Sequence, residues 1–479
     1  LGGGDHRDRH RRPQETGKKG LQKGTHGAAE GVREGSNPTL PRKASSPYLA
    51  LALGPHGTFP RRPALINLMN RSRFLGGLCL AALALSVSAD DGHGYFPPPD
   101  NQGGWRVPKD AAEARALAGV DVAKLERAFA ATLRSNSPNG GLVVVRKGYL
   151  VFEGYYGKAH REGNPDMAST GKAFTSLACG VMLAEHKAKL PQGLDTLVYT
   201  KELLPEAFPL RDPREADIRL GHLLCMTSGH NGEGGTPSAV VRGETRPLKP
   251  SKGQDIRDVD GSSLRAPLWG APGEGYSYSS PAPHIASMVL RRVTGQELPA
   301  YIEEKFARPM GWGAWGYCLY RGEVTMAHAN GAGSIALRAT DAVRFGYCLA
   351  RDGRWGSRQL VPSDYLRLCR TPSPYNPHFP FSLQFEHNAA GQIVGAPRDA
   401  YYKTGAGGFC LYVVPSLDLV VYKLGGSDGQ WNPDLTRLPQ PADKHGVRGE
   451  YVAPPKNGAY EGYSIPRILE LVCAAVRDE

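Results

Sequence analysis

The sequence predicts an α/β fold in which an antiparallel sheet is flanked by helices and carries a mainly helical insertion. Three observations predict it. A strand hairpin reads at residues 141–156, three more strands read at 400–424, and the stretch between them is helical or rich in Gly and Pro. Strands supplied by both ends of a chain, with helices between them, bury their apolar faces by stacking in layers. The chain has 479 residues, of which 40% are apolar and 22% charged, enough for one large or two ordinary domains. That balance excludes a fully disordered, fibrous or multi-pass membrane protein.

The net charge of +12 suggests a nucleic-acid partner until it is located. Residues 1–68 hold twelve Lys/Arg against five Asp/Glu, whereas residues 90–479 hold 44 against 41. The body is near neutral and offers no basic footprint for DNA or RNA. Residues 1–68 also carry eleven Gly and seven Pro with no apolar period, so this leader is expected to be non-globular and either untranslated or disordered. Met69-Asn-Arg-Ser-Arg follows, then an apolar run from Phe74 to Leu85 and the small-residue site Ser86-Val-Ser-Ala89. This order reads as a secretory signal peptide at 69–89, with Met69 as the start. The run is too short and Gly-rich to remain as a membrane span. The mature chain is expected in the periplasm or outside the cell. Seven Cys remain after cleavage and none form a CxxC pair; Cys179, Cys225, Cys348, Cys410 and Cys473 sit among apolar residues and read as buried thiols, with some pairing after export left open.

The elements follow in order. Residues 90–135 form a Pro- and Gly-rich lead-in and one amphipathic helix from Ala111 to about Leu133; the main domain spans 136–479, with its insertion at about 190–330. Lys147-Gly148 separates the runs Gly141–Arg146 and Tyr149–Tyr156, a hairpin signal. Ser169 to about His186 is apolar or small nearly all round, which marks a buried helix. Further helices are expected at Ile218–Cys225, Pro283–Val293, Leu298–Ala307 and Ile465–Val476. Strands are expected at Ala400–Thr404, Phe409–Val414 and Leu419–Leu424, the last two joined by a turn at Pro415–Asp418.

Three motifs carry chemistry. In Ser169-Thr-Gly-Lys172 the outer side chains are i, i+3 on one helix face, about 5–6 Å apart. A serine hydroxyl is a poor nucleophile until an adjacent base takes its proton, and Lys172 is placed to do so. With 27 Ser and 19 Lys, about one such spacing arises from composition alone, so this motif is weak by itself. Tyr276-Ser-Tyr278-Ser-Ser280 supplies a phenol that shuttles protons once its pKa falls from about 10. Lys403-Thr404-Gly405-Ala406-Gly-Gly408 opens a strand–turn–strand unit, where a lysine holds a substrate carboxylate or tunes its neighbour and glycines admit backbone N–H groups to a reacting carbonyl.

Together, and in this order, the motifs resemble the serine β-lactamase and penicillin-binding-protein family, nearest its class C β-lactamase and esterase branch. Leu223-Leu-Cys-Met-Thr-Ser-Gly229 resembles the family's Leu-Leu-x-His-Thr-Ser-Gly loop, with Met226 in place of His. Asn330-Gly-Ala-Gly-Ser and Asp341-Ala-Val-Arg-Phe-Gly resemble its Gly-rich turn and following helix. The resemblance runs from about Gly140 to Val476 and implies a β-lactamase/transpeptidase-like fold. It implies Ser169 as nucleophile, Lys172 as its base or base partner, Tyr278 as the second proton-transfer group, and Lys403 and Thr404 as substrate-binding groups supporting Tyr278. The backbone N–H groups of Ser169 and Ala406 would form an oxyanion hole, each donor contributing about 3–4 kcal/mol. A neutral Lys172 near pH 7 requires a pKa shift of about 3 units, toward which burial and the Lys403 charge both push. No cofactor or metal is implied.

One departure bears on substrate. Where the family often has Tyr-x-Asn this chain has Tyr278-Ser279-Ser280, and the shorter Ser280 favours a small ester or atypical amide over a peptide or β-lactam. The expected activity is therefore an exported serine hydrolase acting through an acyl-enzyme on a small-molecule ester, amide or lactam. A β-lactamase or D-alanyl-D-alanine carboxypeptidase proper is the nearest alternative, and a cell-wall sensor that acylates without turnover is the alternative of another kind. Gly425-Gly-Ser427-Asp-Gly429 matches a nucleophile elbow, but Gln430-Trp-Asn-Pro433 does not start the helix an elbow needs. Asp166 and Ala173 break a phosphate-loop reading of Gly171-Lys172, and no HExxH or Cys/His cluster occurs in the mature chain. Secreted material is expected to begin near Asp90 on N-terminal sequencing; retention of residues 1–68 would overturn the leader reading.

Overall fold

The structure, a computed structural model of the chain, describes residues 94–135, 137–232, 237–251, 253–255, 258–318, 329–431 and 464–477. Residues 1–68 and 69–89, read from the sequence as a leader and a signal peptide, lie outside the described residues. After an extended lead-in with one short turn at Asp100–Gln102, helices α1 (Ala111–Ala118) and α2 (Val122–Thr132) precede the hairpin β1 (Gly140–Arg146) and β2 (Tyr149–Tyr156). Sequence periodicity predicts one helix across 111–133, but the structure breaks it. Gly119 takes φ +60° and ends α1, and the Asp121 side chain accepts from Lys124 N–H to start α2.

Helix α3 (Lys172–Glu185) follows a 3-10 turn at Ala168–Gly171. The insertion is helical in part: α4 (Leu220–Leu224), the hairpin β3 (Ser238–Val241) and β4 (Glu244–Pro247), α5 (Val259–Leu264), α6 (Pro281–Thr294), α7 (Leu298–Ile302) and α8 (Arg308–Met310). The helix expected across Leu298–Ala307 is a short α7 followed by a π turn at Glu303–Ala307. The pair β5 (Trp315–Tyr317) and β6 (Ile335–Leu337) leads to α9 (Ala339–Ala350), the ribbon β7 (Arg354–Trp355) and β8 (Arg358–Gln359), and α10 (Ser363–Cys369). The chain then lays down β9 (Phe381–Ser382), β10 (Phe385–His387), β11 (Tyr401–Gly405), β12 (Phe409–Val414) and β13 (Leu419–Leu424), and α11 (Ile465–Cys473) follows.

One seven-stranded antiparallel sheet runs in the order β2-β1-β13-β12-β11-β10-β9. Strand β1 pairs with β13 from Gly141↔Leu424 to Arg146↔Leu419, which joins the two ends of the domain. Both faces are covered, so β1, β12 and β13 are buried throughout and read as apolar runs. On one face Leu142, Val144, Tyr412 and Val421 pack with Leu125, Phe129, Leu469 and Val472 of α2 and α11. On the other, Val143, Leu411 and Val420 pack with the cluster of α3, α6 and α9, where Phe174 stacks on Phe345 at 4.0 Å between centroids. The seven cysteines after Cys79 are all buried free thiols, so none of the pairings left open by the sequence forms.

The lead-in is tied to α9 by buried charge. Asp100, Arg338, Asp341 and Arg344 are all under 4% exposed. Arg344 Nη2 meets Asp100 Oδ1 at 2.5 Å and Arg338 Nε meets Asp341 Oδ2 at 2.9 Å. Removing one partner strands a buried charge, which typically costs about 3–5 kcal/mol. Asp341→Ala is expected to lower unfolding free energy by about that amount in urea titration; a change below about 1 kcal/mol would show that the network is not holding the segment.

Candidate active site

The site is assembled where the turn before α3 meets the end of β11. Ala168, next to Ser169, has φ +47°, a conformation that costs a non-glycine residue on the order of 1–3 kcal/mol and persists only when its surroundings dictate it. Those surroundings are visible. Ala168 N–H donates to Asp166 Oδ1 at 2.8 Å, and Ala168 O accepts from Ser334 N–H at 3.3 Å. Gly405 is needed for close approach, because a Cβ there would collide with Met167 O and with Thr170. The strand end therefore lies flush against the serine turn.

Lys172, the first residue of α3, is fully buried. Its Nζ lies 2.8 Å from Ser169 Oγ and donates to Ala332 O at 2.6 Å. The loop between α5 and α6 brings in Tyr278, whose ring centroid is 5.1 Å from Lys172 Nζ and 5.2 Å from Lys403 Nζ. Lys403, on β11, is also fully buried. The four residues singled out from motifs 234 positions apart at their extremes (169 and 403) thus converge. Thr404 donates to Glu386 Oε1 at 3.0 Å. Ala406 is exposed at the turn after β11. Ser280 sits at the start of α6 and is 8% exposed.

The electrostatics separate the groups. Burial pushes the Tyr278 phenol up, but the charges of Lys172 and Lys403 and a hydrogen bond with Ser169 outweigh it, and its pKa falls below the ordinary 10.0. Burial pushes Lys403 down, but Glu386 and Tyr278 outweigh it, and Lys403 is held above the ordinary 10.5. The arrangement places a polarised hydroxyl, a phenol primed to lose its proton and a permanent cation around one point. Among the described residues no group of three His, Cys, Asp or Glu side chains could hold a metal ion.

Sequence reasoning missed two supporting residues. Glu386, on β10, lies 3.7 Å from Lys403 Nζ through Oε1. Gln430 ties the two halves together: its Nε2 donates to Asp166 O and to Ala406 O, both at 3.1 Å, and its backbone O accepts from Asp166 N–H at 2.9 Å. No motif marks either residue. The only signal for Gln430 was its place in the loop that rules out a nucleophile elbow. Phe379 stacks on Tyr276, and Trp269 lines a cavity of about 930 Å³ formed by insertion residues. None of the four converging residues lines that cavity.

The layered antiparallel sheet with its helical insertion is a β-lactamase/transpeptidase-like fold, and it superposes on a candidate β-lactamase of Bacteroides dorei with TM-score 0.50, at 17% identity over 66% of this chain and 95% of that one. The sequence profile of the Beta-lactamase family matches residues 122–429, and the chain belongs to that family, a family of β-lactamase-fold serine hydrolases. Esterase EstB of Burkholderia gladioli is 33% identical over 206 residues, 40% of this chain and 50% of that protein, so the chain spans about half the length of this curated relative. A penicillin-binding-protein homologue of Caulobacter crescentus aligns at 14% identity over 73% of this chain and 96% of that one, with TM-score 0.44.

The lowered phenol is directly measurable. A Tyr278→Phe-minus-parent difference titration near 295 nm is expected to place tyrosinate formation below pH 10, and Lys403→Met is expected to move it upward. An unshifted titration in Lys403→Met would remove Lys403 as a cause.

Proposed function

We propose that this chain is an exported serine hydrolase that cleaves small carboxylic esters through an acyl-enzyme. The observation that carries the proposal is Tyr278, hydrogen-bonded to Ser169 and flanked by Lys172 and Lys403, with Ser169 Oγ 2.8 Å from Lys172 Nζ. The Tyr278 phenolate takes the Ser169 proton as Oγ bonds to the ester carbonyl carbon. The carbonyl oxygen carries the resulting negative charge toward the Ser169 and Ala406 N–H groups. The tetrahedral adduct collapses, the carbon–alkoxy bond breaks, and Tyr278 returns its proton to the departing alkoxide. Water then repeats the cycle on the acyl-enzyme, releasing the acid and free Ser169.

Lys172 serves in this scheme as base partner. Its charge is among the forces that lower the phenol, and its contact with Ala332 O fixes it beside Ser169. Lys403, kept cationic by Glu386, completes the field and supports substrate binding with Thr404. Ester rather than lactam or peptide substrates are favoured because Ser280 is short and nearly buried. The 33% identity to an esterase supports the same reading. Export rests on the basic, apolar and small-residue order of 69–89.

A fluorophosphonate label is expected to map to Ser169, and Ser169→Ala is expected to abolish both label and turnover in a panel of chromogenic esters, amides and lactams. Tyr278→Phe is expected to lower kcat by about 10²–10⁴-fold. Because the deprotonated phenol is the active form, kcat/KM should fall as pH drops below the Tyr278 pKa, and Lys403→Met should move that limb to higher pH. Label on another residue, or a single stoichiometric burst with no turnover on any substrate, would overturn the proposal.

A further inference from the structure

We propose that His284, held by Asp260, is a positioning residue that sets the carbonyl against which Lys172 is docked. This rests on the catalytic reading above and goes beyond it. His284 lies on the first turns of α6, six residues after Tyr278, with a fully buried side chain. Its Nδ1 lies 3.1 Å from Gly331 N and accepts that N–H. A ring nitrogen that accepts carries no proton, so the proton of the neutral imidazole sits on Nε2, which faces Asp260 Oδ1 at 2.7 Å. Asp260 Oδ2 is in turn held by Arg291 Nη2 at 2.8 Å. The network therefore selects one tautomer and one ring orientation.

What the ring holds is the loop that receives Lys172. Gly331 O accepts from Thr175 Oγ1 at 2.7 Å, and the next carbonyl, Ala332 O, is the one that takes the Lys172 hydrogen bond. Gly333 then packs on the serine turn, where a Cβ would collide with Ala168. Residues 330–334 belong to no helix and no strand, so no repeating backbone pattern fixes the direction of these carbonyls. A backbone turn closes the loop, Gly333 N–H donating to Asn330 O at 3.1 Å, and Asn330 Oδ1 accepts from Ala332 N–H at 2.9 Å; His284 adds the grip that comes from outside the loop, on the residue immediately before the critical one. The insertion thereby reaches the serine turn through a chain of contacts: Arg291, Asp260, His284, the 330–334 loop, Lys172. A small displacement of a catalytic group costs far more in rate than in stability, because the reacting geometry is lost before the packing is.

The test uses the full-length protein, with Ser169 phosphonylation by a fluorophosphonate and steady-state hydrolysis of a chromogenic ester as readouts. His284→Phe keeps the ring volume and removes both hydrogen bonds. It is expected to slow phosphonylation and lower kcat at least tenfold, with KM within threefold of the parent. His284→Gln presents an amide oxygen to Gly331 N–H and is expected to recover to within threefold of the parent. Asp260→Asn must keep its oxygen for Arg291 and turn its NH₂ toward the ring; that forces the other tautomer, sets N–H against the Gly331 N–H, and is expected to slow both readouts like His284→Phe. A His284→Phe enzyme within twofold of the parent overturns the proposal, as does a His284→Gln enzyme as slow as His284→Phe. If circular dichroism shows that His284→Phe does not fold, Asp260→Asn decides, and parental rates in that variant overturn the proposal. A parent that takes no label at Ser169 refutes the catalytic reading and this inference with it, whereas equal labelling of parent and folded His284→Phe refutes this inference alone.

Discussion

Two buried amines placed on either side of one phenol are the constraint on which the rest of the site depends. Lys172 and Lys403 are both fully buried, each about 5 Å from the Tyr278 ring centroid. Bringing like charges together away from water is unfavourable unless counter-charge and hydrogen bonds offset it. The structure supplies both. Glu386 stands beside Lys403, Ala332 O takes Lys172, and the phenol between them gains the most by becoming an anion. The same arrangement that makes the site costly to build makes Tyr278 a stronger acid than a free tyrosine.

That arrangement demands precision from the backbone. The lysines come from different layers: one from the first turn of a helix packed on the sheet, the other from an interior strand of the sheet itself. They meet because the end of β11 presses directly on the serine turn, which only a glycine at 405 permits. Ala168 is held in an unfavourable conformation by Asp166 and Ser334, and Gln430 ties Asp166 to Ala406 across the gap. The segment around Ser169 is therefore fixed by contacts from remote parts of the chain, and the stiffness of the two-faced sheet beneath them carries that fixation.

Much of this was legible beforehand. Strands β12 and β13 appear in the sequence with the boundaries they have in the structure, because a strand buried on both faces is an apolar run, interrupted in β13 only by the buried Lys423, bounded by turn residues. The Ser169–Lys172 spacing was legible because it follows local helical geometry, whereas Tyr278 and Lys403 were legible only because their motifs match a family pattern. Less regular segments were not. The break at Gly119 was hidden by an apolar period that continues through it. The π turn at Glu303–Ala307 shows no local signal, since helical side chains occupy it. The hairpin of the insertion was missed because β4 is exposed and carries no alternating pattern.

The sequence by itself determined the layered α/β class, the strands β1, β2, β11, β12 and β13 and the residues that resemble a family's site, because hydrophobic period and short-range spacing are properties of neighbouring residues. Only the tertiary structure decided how those groups act on each other. Glu386, Gln430, Asp260 and His284 are ordinary side chains in sequence; they gain meaning from partners far along the chain, and the low dielectric in which those partners meet exists only once the layers have closed.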